Sequence, residues 1–277
     1  MKLQIYKHLI LIFILKLLYA SNITKSIDYK LKLAPNPDPI DDFEALFEVT
    51  IEMSYISIDT TTCGGSLISS NLILTAAHCF DNVINKSTYI GFVYYGWHKK
   101  TRSIYFSKYK IHPKYKKKSP SYDLALIKLN SDIKEDVYVK YVTIDWEQIN
   151  IGDILTVYGR GIREDNTKPR YMYKGYFNVI KIINNCIYTF GMNEGKTLVV
   201  TKGDSGGPVI KNGKLVGTVI GTQKFKNQPT LSMFTYILKH KDFINSNFTS
   251  SSHRIYINFI NTSLFLSILT MFIYNYF

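Results

Sequence analysis

Between the two ends of the chain, apolar and polar residues occur in short alternating runs, the pattern of β-strands that bury one face. The run FEVTIEM, residues 47–53, alternates in this way, and Gly, Asn and Pro residues separate the runs that follow it. Those further runs are NLILTAA, YIGFVYYG, DLALIKL, ILTVYG, KLVGTVIG and LSMFTYIL. No long helical period precedes LKHKDFINSNF, residues 238–248. Many short strands and one terminal helix predict an all-β fold, an antiparallel barrel or a sandwich pair.

The composition agrees with a folded core. Of the 277 residues, 46% are hydrophobic and 20% are charged, which is too few charges for a disordered acidic or basic tail protein. One globular domain of about 200 residues with end segments is expected. The net charge of +13 suits an anionic partner, such as a membrane surface, a polyanion or an acidic protein, without choosing among them.

The amino-terminal end predicts a secreted chain. Lys2 and Lys7 precede an apolar run that ends at the small residue Ala20, so residues 1–20 are interpreted as a signal peptide, with an uncleaved anchor as the alternative. Residues 21–39 are then a propeptide or linker. The secretory route makes the Asn-x-Ser/Thr triplets candidate glycosylation sites, at Asn22, Asn85, Asn247 and Asn261.

The carboxyl-terminal segment, residues 248–277, closes with the uncharged run LFLSILTMFIYNYF. A helix of this run reaches about 21 Å, less than the roughly 30 Å of a hydrocarbon layer. The serines at 250–252, a spacer and the short tail match a GPI-anchor signal. The alternatives are a spanning helix over residues 255–277 and a terminal amphipathic helix packed on the domain. The first two place the protein on a membrane.

The stretch TKGDSGGPV, residues 201–209, has the chemistry of a nucleophile turn. Its glycines allow a sharp turn that exposes Ser205 while neighbouring N–H groups point the same way. A serine hydroxyl needs a base and a group that orients the base. His78 ends the apolar run LTAAHCF and Asp123 begins DLALIKL. Each alone is more often structural, but together with Ser205 they form a set able to transfer a proton.

Four motifs in order carry a family resemblance: CGGSLISSNLILTAAHC (63–79), DLALIKL (123–129), GDSGGPV (203–209) and FTYILKHKDFI (234–244). Over residues 40–247 the chain resembles the chymotrypsin-like (trypsin-fold) serine proteases. The resemblance implies two six-stranded antiparallel β-barrels with a C-terminal α-helix and the active site between the barrels. It makes His78 the general base, Asp123 the acid that orients it and Ser205 the nucleophile. The N–H groups of Gly203 and Ser205 become the oxyanion hole.

The same resemblance pairs Cys63 with Cys79 in a disulfide and leaves Cys186 without its usual mate. Cys186 is then a buried thiol, with intermolecular pairing as the alternative. The base of the specificity pocket falls on Val199, where trypsin-like members carry Asp, and its walls fall on Thr222 and Ser232. These residues imply cleavage after small or medium apolar side chains.

The amino-terminal region departs from the family pattern. Members are cut to free an Ile-Val-Gly-Gly end whose ammonium pairs with the acid before the nucleophile, here Asp204, but no such tetrapeptide occurs. An activating protease that cuts after Lys30 or Lys32 would free a leucine instead. Two functions follow: a secreted or membrane-tethered serine endopeptidase, or a non-activated homologue that acts as a binding or decoy protein.

The basic stretch KYKIHPKYKKK, residues 108–118, precedes Asp123 and is expected on a loop at the rim of the cleft. It is interpreted either as a solvated lysine loop or as an exosite for a polyanion or an acidic substrate. The secreted chain argues against nucleic acid as a partner. His78, His98 and His112 match no metal-ligand spacing, and no cofactor is expected.

Overall fold

The computed structural model describes residues 31–32, 44–55, 59–82, 89–96, 100–162, 172–193, 196–226, 229–246 and 253–254. The predicted signal peptide, nearly all of the propeptide and anchor segments, His98 and the four candidate glycosylation sites lie outside the described residues. Within the described residues, no helix has both the length and the apolar character needed to cross a bilayer.

The chain is built almost entirely from strands. In chain order they are β1 (Leu31–Lys32), β2 (Glu48–Tyr55), β3 (Asp59–Ser69), β4 (Leu72–Thr75), β5 (Tyr89–Tyr95), β6 (Arg102–Ile111), β7 (Ala125–Leu129), β8 (Ile154–Gly159), β9 (Tyr173–Ile183), β10 (Cys186–Asn193), β11 (Lys196–Val199), β12 (Pro208–Lys211), β13 (Lys214–Gln223), β14 (Leu231–Tyr236) and β15 (His253–Arg254). Two 3₁₀ turns (Ala77–Phe80 and Ile237–His240) and one short helix, α1 (Lys241–Ile244), complete the described structure.

The first barrel has the strand order β6-β5-β2-β3-β4-β7 and closes where β6 pairs with β7. All of these pairings are antiparallel, and β15 adds to the outer edge of β6. Alternate residues of the strands point inward, so Ile51, Phe106 and Ile127 are fully buried in one apolar cluster. Closure gives each of the six strands a neighbour on both sides, and β15 pairs with the part of β6 that extends beyond β5.

The second barrel has the order β10-β14-β13-β12-β8-β9 and closes where β9 pairs with β10. Val157, Phe177 and Phe234 are fully buried in its interior, and the rings of Phe177 and Phe234 pack edge to face. Strand β11 adds to β10, and β1 adds to β11 in parallel. The prediction of two six-stranded antiparallel barrels is therefore confirmed.

A third apolar cluster joins the two barrels and the helix. Leu74 and Leu126 from the first barrel are buried with Ile210 and Leu215 from the second, and Phe243 of α1 packs in the same cluster. Burial of this shared surface fixes the ends of β4 and β7 against the second barrel, and these are the strand ends that lead to His78 and come from Asp123.

Two elements differ from the sequence-based expectation. The α-helix is limited to Lys241–Ile244, because the backbone at His240 (φ −126°, ψ 20°) breaks the path between the 3₁₀ turn and α1. The basic stretch is not wholly a loop: Lys108 to Ile111 form the end of β6, and only the residues after Ile111 leave the sheet.

Candidate active site

His78 lies on a tight turn that follows β4 directly. The neighbouring side chains of Ala77, Cys79 and Phe80 are buried, so the turn is fixed by packing while the His78 side chain stays 30% exposed. A disulfide joins Cys79 to Cys63 of β3, with a sulfur–sulfur distance of 2.00 Å. The imidazole is thus presented from a segment that is braced covalently on one side.

His78 and Asp123 form a close pair. The Nδ1 atom of His78 lies 2.6 Å from Oδ2 of Asp123, and Oδ1 of Asp123 accepts the backbone N–H of His78 at 2.8 Å. Asp123 is 2% exposed, and its carbonyl accepts the hydroxyl of Thr235. With Nδ1–H donated to the carboxylate, the Nε2 atom of the neutral ring is left as the proton acceptor.

The environment of His78 also sets its basicity. Burial opposes the charged ring, but the hydrogen bond and negative charge of Asp123, helped by the charge of Asp81, outweigh burial and raise the pKa of His78 above its ordinary 6.5. An imidazole tuned in this direction takes up a proton more readily than a free histidine, which suits a general base.

The Ser205 turn is tied to the His78 segment through the backbone. The carbonyl of Ser205 accepts the N–H of Gly64 at 2.7 Å, and Gly64 follows Cys63, the disulfide partner of the residue after His78. Gly206 packs so closely that an added Cβ would lie 2.1 Å from Oγ1 of Thr75. The structure therefore brings the turns that carry His78 and Ser205 together across the boundary between the barrels.

Some N–H groups of this turn are hydrogen-bonded, and others are available to a ligand. Gly206 donates to the carbonyl of Val219 at 2.7 Å, and Gly207 donates to the carbonyl of Asp204 at 2.9 Å. The N–H groups of Gly203 and Ser205 have no acceptor among the residues that the structure describes. Gly203 has a φ of +103°, a conformation that glycine adopts without strain. Two unused donors beside a serine hydroxyl are what an oxyanion hole requires.

Asp204, the expected partner of an activation ammonium, is held by backbone donors of its own barrel. Its two carboxylate oxygens accept the N–H groups of Gly161 and Thr201, each at 2.7 Å. Burial raises the pKa of Asp204 to about 6 even though these hydrogen bonds favour the charged form, and the negative charge of Glu48 adds to the rise. Sequence reasoning missed Gly161, although its place two residues after β8 is a signal for a close backbone approach.

Glu48 is a second carboxylate in this region that the sequence did not single out. It is 6% exposed, and its Oε2 atom lies 3.5 Å from Nε of Arg160, the residue before Gly161. Burial raises the pKa of Glu48, and the charge and hydrogen bond of Arg160 counter that rise. The Arg160–Gly161 segment therefore contacts both carboxylates, one through its guanidinium and the other through its backbone.

Two of the predicted pocket residues, Thr222 and Ser232, lie on neighbouring strands, and Val199 ends β11. Thr222 pairs directly with Ser232 across β13 and β14, and the hydroxyl of Ser232 accepts the N–H of Val200, the residue after Val199. Val199 and Ser232 are buried whereas Thr222 is exposed. Val199, the residue predicted for the base of the pocket, therefore offers a buried apolar side chain and no carboxylate.

The sequence analysis missed a cluster of four packed rings next to Asp123, here called the ring box. His112 packs against Tyr122, His240 and Phe243 with ring centroids 4.8–5.0 Å apart, and Tyr122 precedes Asp123 with a φ of +62°. Burial, with the charge of Lys114 in addition, lowers the pKa of His112 to about 4. A positive φ at a bulky residue is strained, and this packing holds Tyr122 beside Asp123.

Cys186 is the free cysteine of the described residues, and it is fully buried in the second barrel. Its sulfur lies 3.3 Å from the carbonyl of Pro120, and burial with the charge of Asp123 raises the pKa of the thiol to about 11. The sulfurs of Cys63 and Cys79 lie within 4.8 Å of a ring nitrogen of His78. Because the two sulfurs are bonded to each other, they are not thiolate ligands for a metal.

Two antiparallel barrels with a His–Asp pair and a serine turn at their boundary are the features of the serine endopeptidase class. The trypsin family model matches residues 45–244, and the chain belongs to this family. Hypodermin-A of Hypoderma lineatum is 32% identical over 177 residues, which cover 57% of this chain and 66% of hypodermin-A. Trypsin delta of Drosophila erecta is 28% identical over 170 residues, 57% of this chain and 67% of its own.

The fold is also found among solved structures. Neuropsin, a serine protease expressed in the limbic system of mouse brain, matches with a TM-score of 0.61 and 21% sequence identity. The match covers 74% of this chain and 95% of the neuropsin chain. The relatives named above are matched over about two thirds of their length, so the match supports the family and the barrel pair rather than every feature of those proteins.

Proposed function

We propose that the chain is an active serine endopeptidase in which Ser205 attacks the peptide carbonyl, His78 accepts the serine proton and Asp123 orients His78. The observation that carries this proposal is the linked geometry of the two turns. The His78–Asp123 pair is 2.6 Å apart, and the Gly64 hydrogen bond with the adjacent disulfide connects the His78 turn to the Ser205 turn.

The reaction follows from these groups. As the Ser205 hydroxyl bonds to the carbonyl carbon, its proton moves to Nε2 of His78, and the imidazolium is stabilised by the Asp123 carboxylate. The N–H groups of Gly203 and Ser205 stabilise the oxyanion, a contribution of about 3 kcal/mol for each donor. His78 then returns the proton to the leaving amine. Water, activated by the same ring, hydrolyses the acyl-enzyme.

A fluorophosphonate probe tests this function directly. We expect the expressed chain to become labelled at Ser205 after limited Lys-directed proteolysis, while Ser205→Ala stays unlabelled. Asp123→Asn should keep the fold and lose roughly 10⁴-fold in kcat, because the imidazole is then held in the wrong tautomer. If no processed form is labelled, the chain is not an enzyme of this kind, and the binding or decoy function becomes the better explanation.

The substrate preference is proposed from the pocket residues. With Val199 in place of a carboxylate, Lys and Arg side chains lack a counter-charge, and peptides with Ala, Val or Leu before the scissile bond should be cleaved best. Val199→Asp is expected to raise kcat/KM for Arg peptides about tenfold or more relative to Ala peptides, since a buried charge gains a partner. Val200→Leu, which changes volume and adds no charge, is the matched control. A wild-type enzyme that prefers Arg peptides would contradict the pocket assignment.

We further propose that the protein works in the secretory pathway or at the cell surface. The Cys63–Cys79 disulfide supports this location because such bonds persist in oxidising compartments. Proteins are the substrates proposed, with an activating protease as a further partner and the carboxyl-terminal segment as the membrane attachment. Release of the expressed protein from cells by a phosphatidylinositol-specific phospholipase would identify a GPI anchor, and retention after this treatment would favour a spanning segment.

A further inference from the structure

Residues 112–122, the larger part of the loop that connects β6 to β7, have an unusual charge distribution. They carry Lys114, Lys116, Lys117 and Lys118 within five positions, and all four are exposed. Residues 112–122 contain no Asp or Glu, and Asp123 follows them directly in the same loop. None of the four lysines forms an ion pair with any residue that the structure describes. We call these four side chains the lysine cluster.

The loop is held in place by its other residues. Tyr115 donates its N–H to the carbonyl of His112, and Ser119 donates to the carbonyl of Lys116, so two consecutive tight turns shape the backbone. Ser121 donates its hydroxyl to the carbonyl of Asn184 in the second barrel. The lysine cluster therefore stands on a fixed loop, which keeps the positive charges close together despite their mutual repulsion.

The same loop borders the active site. The hydroxyl of Tyr115, between Lys114 and Lys116, lies 3.1 Å from Oδ1 of Asp81, three residues after His78. Lys114 extends across the ring of Tyr122, which precedes Asp123, with Nζ 5.6 Å from the ring centroid. Burial, together with the negative charges of Asp123 and Asp81, raises the pKa of Tyr115, which places this side chain in the field of the orienting acid.

We propose that the lysine cluster is a substrate exosite that binds an acidic segment of the polypeptide being cleaved. The inference rests on the proposed endopeptidase function and adds a substrate class to it: proteins with Asp or Glu residues beside the bond that is cut. An acidic peptide fits better than other anions because the cluster borders the His78–Asp123 pair, where the chain of a bound protein substrate must pass. Exposed ammonium groups bind carboxylates as point charges, and the attraction weakens with salt.

Catalysis tests the proposal with two internally quenched peptides of equal length and the same residues around the scissile bond. One peptide carries a Glu triplet and the other a Gln triplet. The pair is made twice, once with the triplet before the scissile bond and once with the triplet after it. We expect kcat/KM to favour the Glu peptide by about tenfold at low salt for one of the two placements. The preference should fall to about twofold near 1 M salt, where the Debye length is about 3 Å.

Two charge-matched variants identify the surface responsible. K114Q/K116Q/K117Q/K118Q should cleave the Gln peptide like the wild type and lose the preference for the Glu peptide. K134Q/K140Q/K181Q/K214Q removes four exposed lysines elsewhere and should keep most of the preference. Equal preference in all three proteins, or no preference in the wild type at either placement, would overturn the exosite.

A binding measurement separates the exosite from the chemistry. On the Ser205→Ala background, the fluorescence anisotropy of a labelled Glu-rich peptide should report binding that the lysine-cluster variant loses and the control variant retains. This result does not depend on hydrolysis, so it tests the exosite even if the fluorophosphonate probe fails to label Ser205. Binding of a sulfated polysaccharide to the cluster without binding of the acidic peptide would overturn the assignment to a substrate segment.

Discussion

The two barrels support their halves of the candidate active site by different physical means. In the first barrel, the His78 turn is bonded through the Cys63–Cys79 disulfide to β3 and is surrounded by buried neighbours. In the second barrel, the Ser205 turn lies in a unit whose described cysteine, Cys186, is a free thiol. Hydrogen bonds from backbone N–H groups and close contacts at glycine take the place of a covalent bond there.

The Ser205 turn is positioned without a crosslink because its backbone has little room to move. Gly206 lies against Thr75 and the carbonyl of Gly64, with added-Cβ distances of 2.1 and 2.5 Å. Asp204 is fixed at both oxygens by N–H donors. Contacts of this kind reinforce one another. Removing any one of them should therefore lower the stability by more than that contact would contribute alone. Substitutions in the two barrels should therefore differ in how strongly they change stability and labelling.

The largest effect is expected from Gly206→Ala. The new methyl group would overlap Thr75 and the backbone of Gly64, and the φ of +78° adds strain, so unfolding should become easier by about 4 kcal/mol. Fluorophosphonate labelling should also be lost, because the Ser205 turn must move. The matched control is Gly213→Ala, where φ is +76° but nothing lies within 4 Å. It should cost about 1 kcal/mol in urea unfolding. Similar losses for both variants would show that contact with the first barrel is unimportant.

The second effect concerns the covalent brace. Cys63→Ala combined with Cys79→Ala opens a bridge that spans 16 positions, and the free energy of unfolding should fall by about 3 kcal/mol. The rate of fluorophosphonate labelling should fall as well, because the Gly64 contact to Ser205 depends on the same segment. Urea titrations of the oxidised wild type, the reduced wild type and the double variant measure the loss. A double variant as stable as the oxidised wild type would show that the disulfide does not stabilise the His78 turn of the first barrel.

The third effect concerns the thiol of the second barrel. Cys186→Ala deletes one buried sulfur and its contact with the carbonyl of Pro120, so a loss of about 1 kcal/mol in unfolding free energy is expected. The wild-type thiol should resist alkylation at pH 8 in the native state, since burial raises its pKa to about 11, and should react quickly in denaturant. Rapid native-state alkylation would show that this barrel opens more readily than its packing indicates.

The smallest effect is a displacement of the pH profile. In the proposed mechanism His78 must be neutral, so kcat/KM should rise with pH through a midpoint above 6.5, the direction in which Asp123 and Asp81 shift the pKa of His78. Asp81→Asn removes one of these negative charges, so the midpoint should move to lower pH. Asp242→Asn, an exposed change on α1, should leave the midpoint in place. A midpoint that rises in Asp81→Asn would contradict the assigned electrostatics.

The folded state should respond to the same titration. Because folding raises the pKa of His78, protonation of this ring stabilises the fold fully below pH 6.5, its ordinary value. That contribution disappears as the pH rises through the folded-state value. Asp204 acts in the same direction: its pKa rises from 3.8 to about 6, so the stability that it contributes as a neutral acid is lost between those two values.

The sequence predicted the parts of the fold that local pattern encodes. The apolar runs of the sequence become β2, β4, β7, β8 and β14; β2 buries one face, whereas β14 is buried at every position. The motif order supported the barrel pair. Strands β6, β9 and β10 did not stand out, because lysine, glycine and asparagine interrupt their apolar pattern and pairing partners supply the missing stabilisation. The terminal helix was predicted too long because packing of Phe243 and Ile244, rather than helical propensity, decides where it ends.

Part of the candidate site could be predicted because its residues lie in motifs, and part could not because it depends on contacts between distant segments. His78, Asp123 and Ser205 came from local patterns, and the structure brings the first two within hydrogen-bonding distance. The ring box around Tyr122 joins residues 112, 122, 240 and 243, and the Glu48–Arg160 pair joins residues more than a hundred positions apart. No short-range pattern signals such pairs.

The hydrogen bond from the Gly64 amide to the carbonyl of Ser205 has a consequence for motion. Gly64 belongs to one barrel and Ser205 to the other. Any motion that separates the two barrels must therefore first lengthen this hydrogen bond. The rate of hydrogen–deuterium exchange at the Gly64 amide should therefore report how often the two barrels separate into an open, inactive state. A bound polypeptide that separates the two barrels would increase the exchange rate of the Gly64 amide, while an acylating inhibitor would decrease it.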